Sequence, residues 1–186
     1  ADSRIVLVTG DLGFGVLRPI WEGFPDRIIN AGIAEQSMIG LAAGLSATGR
    51  TVIVYSIGNF PTLRPLEQIR NDCAYHDANV KVVCVGGGFV YGSLGMTHHA
   101  TEDMAVMRAI PGVTIFTPGD PVETEAVTQV MLKTPGTCYL RIGRGNEPVA
   151  HSAGIKGWSF PKAIRCREGK DLALFSAGGI LTEIGR

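Results

Sequence analysis

The chain has 186 residues, of which 45% are hydrophobic and 18% are charged. This length suits one well-buried domain with some chain to spare. Its 17 basic residues balance its 17 acidic ones, so no net charge attracts nucleic acid or a membrane surface, and we expect a small molecule or another protein as the partner.

Short β-branched runs alternate with longer helical patterns along most of the chain. Strands are predicted at residues 5–8, 27–30, 51–55, 80–85, 113–116 and 137–141. Helices are predicted near residues 16–23, 34–48, 64–77, 102–110 and 121–133. This order, with strands apolar almost throughout, predicts an α/β fold with a mostly parallel sheet and helices on both faces. Ligands of such sheets bind at the carboxyl ends of the strands.

The character of the sequence changes after Arg144. Residues 1–145 form the first predicted domain, and residues 146–170, rich in Gly, Pro and isolated charges, are predicted to be a linker. Residues 171–176 resemble another buried strand, Gly178-Gly179 a turn, and residues 181–186 the start of a helix. We therefore expect residues 171–186 to be the truncated start of a second domain.

Neither a membrane segment nor a cysteine framework is predicted. No apolar run reaches the ~18 residues that a membrane span requires, and no signal peptide is recognisable, so we expect a cytoplasmic protein. Cys73, Cys84, Cys138 and Cys166 lie far apart in segments that resemble core helices or strands. We expect reduced thiols that form neither a zinc site nor disulfides.

The most informative segment runs from Arg27 to Gly49, where a strand leads into a helix whose first turn holds Glu35. An acidic residue there has an ordinary explanation, because a negative charge in the first turn stabilises a helix by ~0.3–1 kcal/mol. Small residues are predicted to form one face of this helix, suited to close approach of another backbone: Ala42, Ala43, Gly44 and Ala47. A packing stripe is predicted at Met38, Leu41 and Leu45. If another chain covered this helix, Glu35 would be shielded from solvent at the end of a strand.

Seven short motifs follow one another in the order of a known family. They are Asp11-Leu12 after the first strand, GIAEQ followed by AAGL, Phe60 with EQIRND, a glycine-rich loop ending in THH, TEDMAVMRAIPG, PGDPVE, and LRIGRG. With these motifs the chain resembles the pyrimidine-binding (Pyr) module of transketolases and deoxyxylulose-phosphate synthases, from about Thr9 to Arg144. These enzymes use thiamine diphosphate.

The resemblance implies roles for three residues around the cofactor's pyrimidine ring. Glu35 would hydrogen-bond a ring nitrogen and stabilise the imino form of the ring, which is basic enough to activate the cofactor. Phe60 is either a core residue or, by resemblance, the ring that stacks on the pyrimidine. Ile57 would complete the same pocket wall.

The resemblance also implies roles around the substrate. His98 matches a histidine near the reacting carbon, where it could shuttle a proton, whereas His99 is more often an ordinary loop residue. The two are adjacent, so in extended backbone they point opposite ways. Arg144 matches an arginine that holds the substrate's phosphate. Asp11 either caps the following helix or helps to bind the cofactor or a neighbouring subunit.

The chain has no glycine-rich phosphate cradle with lysine and no set of carboxylate and amide ligands for magnesium. In the family the Mg²⁺ and diphosphate site belongs to a separate PP module. The resemblance therefore implies a partner subunit that carries the PP module, with a homodimer of Pyr chains or a heterotetramer as the assembly, and a sugar as the substrate.

Three positions depart from the transketolase pattern. Gly86 replaces a substrate-contacting histidine, Leu94 an aspartate that contacts a sugar hydroxyl, and Gly15 a serine near the phosphate. A sugar hydroxyl left without its partner costs ~1–3 kcal/mol. We therefore expect a substrate that is deoxygenated, nucleotide-linked or otherwise unlike the common sugar phosphates.

The leading hypothesis is a transketolase-like subunit that transfers a two-carbon ketol or acyl unit to a sugar or aldehyde. One alternative keeps the cofactor but performs a decarboxylating condensation, as deoxyxylulose-phosphate synthase does, or acts as the beta subunit of a 2-oxo-acid dehydrogenase. The THH motif favours the former of these two, and GIAEQ argues against the latter. Another alternative is a non-catalytic Pyr scaffold, against which Glu35, Phe60 and His98 count.

Overall fold

The centre of the computed structural model, which describes residues 2–155 and 158–184, is a sheet of six strands. The strands are β1 (Ile5–Thr9), β2 (Ile28–Asn30), β3 (Thr51–Ile57), β4 (Val80–Val85), β5 (Thr114–Phe116) and β6 (Cys138–Ile142). They are ordered β2-β1-β3-β4-β6-β5, and every neighbouring pair is parallel. The predicted α/β fold is therefore confirmed, with a sheet that is parallel throughout.

Helices connect the strands in the predicted order. They are α1 (Arg18–Gly23), α2 (Glu35–Ala47), α3 (Leu66–Gln68), α4 (Asp103–Ala109), α5 (Pro121–Lys133) and α6 (Leu181–Ile184). α3 continues as a π-helical segment, Ile69–Ala74. The helix predicted at 64–77 is shorter than expected because Pro65 disfavours helical backbone at Arg64, and the helix begins only after Pro65.

The helices cover both faces of the sheet. On one face, α2, the π-helical segment and α4 pack on the sheet through buried side chains that include Met38, Cys73 and Met107. On the other face, α5 packs through Val127 and Met131. The segment leading into α1 packs beside them through Leu17.

The exposed side of α2 differs from the prediction. Ile39 and Ala42 are buried with Met38, whereas Leu41 is 39% exposed. Leu41 lies two residues after Ile39, which is about 200° around the helix, so it faces away from the sheet. The predicted small-residue face is therefore wrong in part: Ala42 is buried in the core and Ala43 packs against it, whereas Gly44 and Ala47 lie on the exposed side with Leu41.

Lys81, the second residue of β4, is fully buried. Its Nζ donates hydrogen bonds of 2.6 Å to the Thr134 carbonyl and 2.7 Å to the Gly136 carbonyl. Burial lowers the pKa of this ammonium group from its ordinary value. The contacts tie the loop between α5 and β6 to the sheet at the edge opposite the strands' carboxyl ends.

The residues after β6 are anchored to the start of α5. Asp120 is the N-cap of this helix, and its Oδ1 accepts a 2.7 Å hydrogen bond from the Glu123 backbone N–H. Its Oδ2 accepts two more from the N–H groups of Ala150 and His151, at 2.9 and 2.8 Å. Burial opposes ionisation of Asp120, yet these N–H groups hold the pKa of its carboxyl below the ordinary value.

The strand predicted at residues 171–176 is wrong. These residues are irregular and pair with none of the six strands of the sheet, and Leu172, Leu174 and Phe175 are exposed. A turn follows at Gly178-Gly179, then α6, whose Leu181 packs over Gly119. The last two residues of the predicted helix, 185 and 186, lie outside the described residues.

The expectation that the cysteines lie in core helices or strands holds for three of the four positions. Cys73, Cys84 and Cys138 are buried free thiols in the core, as expected. Cys166 is also free, but it is exposed and lies outside any helix or strand. Within residues 2–155 and 158–184, no helix has the length and apolar character needed to cross a membrane.

Candidate functional site

Glu35 is the first residue of α2, next to the carboxyl end of β2. Its side chain is only 4% exposed, although nothing in its own helix pairs with it. Its partner is Arg64, whose Nη1 lies 3.0 Å from Oε1 and 3.1 Å from Oε2 of the carboxylate. The predicted buried carboxylate is therefore present, and it is paired with Arg64, which was not predicted from the sequence.

Phe60 lies in the loop after β3, on the other side of Arg64. The guanidinium carbon of Arg64 lies 4.1 Å from the centroid of the Phe60 ring, over its face. A cation in this position is attracted by the negative face of the ring. Arg64 thus joins Glu35 and Phe60, the two residues that were predicted to hold one ligand.

His98 lies at the end of a short 3₁₀ turn, Met96–His98, in the long loop between β4 and α4. Its ring centroid is 5.0 Å from that of Phe60, in an edge-to-face arrangement. The Thr97 hydroxyl lies 3.0 Å from Nδ1 of His98, and Asn59 donates a 3.0 Å hydrogen bond to the Thr97 carbonyl. These contacts attach the histidine turn to the Phe60 loop.

His99 faces a different part of the same loop. Its Nε2 lies 3.2 Å from the Gly92 carbonyl, and its ring is 5.1 Å from that of Phe89. The two adjacent histidines therefore point in different directions, although His98 ends a 3₁₀ turn and is not in the extended backbone for which this was expected.

Arg144 lies just beyond the carboxyl end of β6 and is exposed. Its guanidinium carbon is 5.1 Å from the centroid of the Tyr91 ring, which in turn is 6.2 Å from the ring of His98. Tyr91 therefore connects Arg144 with the other predicted residues. The structure brings Glu35, Phe60, His98 and Arg144 into one continuous series of contacts.

Asp11 and Ile57 lie beside this series. Asp11 exchanges two hydrogen bonds with Asn30, at 2.9 and 3.0 Å, and Asn30 also accepts one from the Gly32 N–H ahead of α2. Asp11 does not cap α1, which begins at Arg18 without a side-chain cap, so that alternative is wrong. Ile57 ends β3 and is half-buried.

Two of the open cavities on the surface of the described residues are relevant to the position of the site. One, of about 400 Å³, is lined by residues 33–37 and Arg64 and so includes Glu35. The other, of about 730 Å³, lies between the π-helical segment and the turn after α4. That larger cavity contains none of the predicted site residues and lies at the opposite edge of the sheet, so the smaller one is the candidate site.

A family model for the pyrimidine-binding domain of transketolase matches residues 1–149 of the chain. The chain belongs to this family. Among its relatives, one subunit of an apulose-4-phosphate transketolase from Phocaeicola vulgatus is 36% identical over 178 residues, which cover 95% of this chain and 57% of that protein. A putative transketolase C-terminal section from Methanocaldococcus jannaschii is also 36% identical over 178 residues, covering 95% of this chain and 56% of that protein.

A solved structure described as a split-gene transketolase, inactive beta4 tetramer, has the same fold as this Pyr domain. The TM-score is 0.71 at 34% identity, and the match covers 81% of this chain and 49% of that one. The Pyr domain chain spans about half the length of these relatives.

Behind the site of this Pyr domain, a buried carboxylate holds the loop that carries His98. Asp103 is 2% exposed, and its Oδ2 accepts hydrogen bonds of 2.6 Å from the Tyr139 hydroxyl and 2.8 Å from Arg141 Nε. Arg141 also donates a 3.3 Å hydrogen bond to the Ala100 carbonyl. Burial, together with the neighbouring Cys84 and Asp103, raises the pKa of Tyr139.

Two glycines allow this loop to lie close to its supports. A Cβ on Gly87 would overlap the Arg141 side chain, and a Cβ on Gly58 would lie 2.8 Å from that of Ala100. The glycine-rich sequence before THH therefore serves close packing. Asp103 and Arg141 lie in the motifs TEDMAVMRAIPG and LRIGRG, but no role was predicted for either, because only the fold brings the two motifs together.

Proposed function

We propose that this Pyr domain supplies the pyrimidine-binding half of the active site of a thiamine-diphosphate-dependent, transketolase-like enzyme of carbohydrate metabolism. The enzyme would transfer a two-carbon ketol or acyl unit to a sugar or aldehyde acceptor. The observation that carries the proposal is the buried Glu35 carboxylate. The Arg64 guanidinium, a flat group with nitrogen atoms, lies between this carboxylate and the Phe60 ring.

The contacts of Arg64 indicate which kind of group fits between Glu35 and Phe60. Its guanidinium is planar, bonds the Glu35 carboxylate at 3.0 and 3.1 Å, and lies 4.1 Å from the centre of the Phe60 ring. An aminopyrimidine ring also combines a flat face with nitrogen atoms at its edge. The residues present therefore fit the pyrimidine end of thiamine diphosphate.

Thiamine diphosphate, when bound, supplies the thiazolium carbon that attacks the substrate's carbonyl. Glu35 would share a proton with a pyrimidine ring nitrogen, in a place where its low exposure strengthens the hydrogen bond. Phe60 would hold the ring by stacking, and Ile57 would border the same pocket. Asp11, through Asn30, would fix the loop that leads to Glu35.

His98 and Arg144 would act on the substrate. His98 lies edge-on to Phe60, so its ring is next to the place proposed for the cofactor, where it could move a proton to or from the substrate. Arg144, exposed and further out along the same series of contacts, would bind a phosphate group by charge-assisted hydrogen bonds.

We propose that a partner subunit with a PP module binds Mg²⁺ and the diphosphate. Support comes from the Phocaeicola vulgatus relative, which is named as one subunit of a transketolase, and from the surface of this chain. Three apolar side chains in loops that follow β1, β2 and β4 are strongly exposed: Phe14 at 65%, Ile33 at 76% and Met96 at 84%. Burying such side chains against another chain is favourable. The assembly would be a homodimer of Pyr chains or a heterotetramer with the partner, in the cytoplasm.

The substrate proposed is a sugar that lacks the usual hydroxyl pattern. Leu94, which stands where transketolases have a hydroxyl-binding aspartate, is 55% exposed in the loop that carries His98. It has no polar group for a sugar hydroxyl. The Phocaeicola vulgatus relative is named for apulose 4-phosphate, which supports a search among less common sugar phosphates.

Binding of thiamine diphosphate tests the proposal directly. The chain and its PP-module partner are co-purified, and the complex and the chain alone are each titrated with thiamine diphosphate and Mg²⁺ by calorimetry. We expect binding by the complex only. A complex that binds no thiamine diphosphate would contradict the proposal and would favour the non-catalytic scaffold.

Substrate profiling separates ketol transfer from the remaining alternatives. The loaded complex is offered either pyruvate or ketose phosphates as the donor. Turnover with ketose phosphates supports the transketolase-like reaction. Turnover with pyruvate instead would support the decarboxylating condensation or the 2-oxo-acid dehydrogenase alternative.

A further inference from the structure

We propose that Arg64 is a latch that occupies the pyrimidine position until the cofactor arrives, so that cofactor binding requires the Arg64 side chain to move out. This inference rests on the proposed function, because the same two residues, Glu35 and Phe60, are assigned to the cofactor's ring. It adds a step that controls access to that site.

The first argument is that Arg64 and the cofactor's ring would compete for the same contacts. One nitrogen of Arg64 bonds both Glu35 oxygens, and the guanidinium carbon lies 4.1 Å from the Phe60 centroid. Flat groups in contact are separated by ~3.5–4 Å. No second flat group can therefore lie against this face of Phe60 and bond Glu35 while the guanidinium stays there.

The second argument is that Arg64 is free to move while Glu35 is not. The Arg64 side chain is 49% exposed, whereas that of Glu35 is 4% exposed. Arg64 lies outside the helices and strands, just before Pro65 and α3. The open cavity of about 400 Å³ beside it leaves room for the long side chain to swing toward solvent.

The third argument explains why the latch is useful. A carboxylate at 4% exposure is costly to leave without a hydrogen-bonding partner. Arg64 supplies that partner in the free chain, and a pyrimidine nitrogen would supply it in the loaded enzyme. The exchange of one partner for the other keeps Glu35 satisfied in both states.

The experiment compares cofactor binding by the reconstituted complex in four forms of this chain. These are the wild type, Arg64→Leu, Arg64→Lys and Arg50→Leu. Arg50 is an exposed arginine before β3, at the opposite edge of the sheet, and serves as the matched control. Thiamine diphosphate with excess Mg²⁺ is the probe, association rates are followed by stopped-flow tryptophan fluorescence, and affinities are measured by calorimetry. Circular dichroism checks that each variant is folded.

We expect Arg64→Leu to bind thiamine diphosphate about tenfold faster and with a correspondingly lower Kd, because the competitor has been removed. Arg64→Lys should lie between Arg64→Leu and the wild type, since its charge remains but it lacks the flat group that covers Phe60. Arg50→Leu should match the wild type. Because salt screens a half-exposed ion pair, raising the ionic strength should shrink the rate ratio between Arg64→Leu and the wild type.

The outcomes separate this inference from the proposed function. Weaker or unchanged binding by Arg64→Leu, with normal binding by the wild type, overturns the latch and leaves the proposed function in place. Absence of thiamine diphosphate binding in every form, including the wild type, overturns both. Faster and tighter binding by Arg64→Leu alone supports both.

Discussion

The ring of Phe60 lies 5.0 Å from the ring of His98, edge to face, although the two residues come from loops after different strands. Asn59 reinforces this pairing by donating a hydrogen bond to the Thr97 carbonyl. The parallel sheet brings the two loops together because β3 and β4 are neighbours and end at the same edge. A cofactor stacked on Phe60 would therefore lie beside a histidine.

The change His98→Ala is expected to lower kcat of the loaded complex by about 10²–10⁴, the range in which general acid–base groups contribute. His99→Ala is the matched control, since His99 bonds the Gly92 carbonyl and packs on Phe89. Steady-state kinetics of both variants provide the measurement. Equal losses in the two variants would assign both histidines to loop structure.

Glu35→Gln is expected to lower kcat by about 10²–10³, because a neutral amide cannot share a proton with the pyrimidine nitrogen as a carboxylate can. The variant keeps the shape of the side chain, so the fold should be retained. Glu125→Gln, on the exposed side of α5, is the control. Turnover by Glu35→Gln within twofold of the wild type would remove Glu35 from the reaction.

Tyr139→Phe is expected to lower the free energy of unfolding by about 1–3 kcal/mol, since Asp103 loses a 2.6 Å hydrogen bond in a place where water cannot replace it. Urea denaturation of the purified chain measures the change through the midpoint at constant slope. Tyr75→Phe, at a position that is 83% exposed, should leave the midpoint unchanged. A stable Tyr139→Phe variant would mean that Asp103 does not depend on the tyrosine.

The stability of the chain is expected to fall in alkaline solution. Burial and the neighbouring Asp72 raise the pKa of the Cys73 thiol to about 12, against 9.0 for a free thiol. Above pH 9 the unfolded chain therefore loses a proton that the folded chain keeps, so the stability that this thiol contributes is full below pH 9 and declines up to about pH 12.

Unfolding measured at pH 7 and at several values between pH 9 and 11 tests this expectation. Cys73→Ala should make the fall of the free energy of unfolding with pH less steep by up to ~1.4 kcal/mol per pH unit, the value for a difference of one bound proton between the folded and unfolded states. The comparison at pH 7 separates this effect from the loss of packing. An unchanged slope in Cys73→Ala would show that the thiol does not titrate differently in the two states.

Much of the fold could be predicted because hydrophobic periodicity and strand length are local signals. All six strands predicted within residues 1–145 are present, since each is an apolar run flanked by turn residues. The run at residues 171–176 has the same local signal but forms no strand, because a strand also requires a neighbour to pair with. Periodicity alone contains no information about that neighbour.

The site was predictable only where a residue belongs to a motif. Glu35, Phe60, His98 and Arg144 are in motifs shared with transketolases, and the fold brings them into one series of contacts. Arg64 lies four residues after Phe60 and had no motif of its own, so its contact with Glu35 depends on how the loop after β3 folds over α2. Its position before Pro65, in a loop at the carboxyl edge, was the one available signal.

The carboxylate of Asp120 starts α5 with one oxygen and holds the backbone at Ala150 and His151 with the other. The same side chain therefore fixes the first turn of α5 and the direction in which the chain continues after residue 151. An Asp120→Ala substitution would thus loosen both the start of α5 and the backbone at residues 150–151, which are distant from each other in sequence. A protein fused after residue 151 would start from a point that Asp120 holds through the backbone and that Glu123 also holds, since its Oε1 lies 2.7 Å from His151 Nε2.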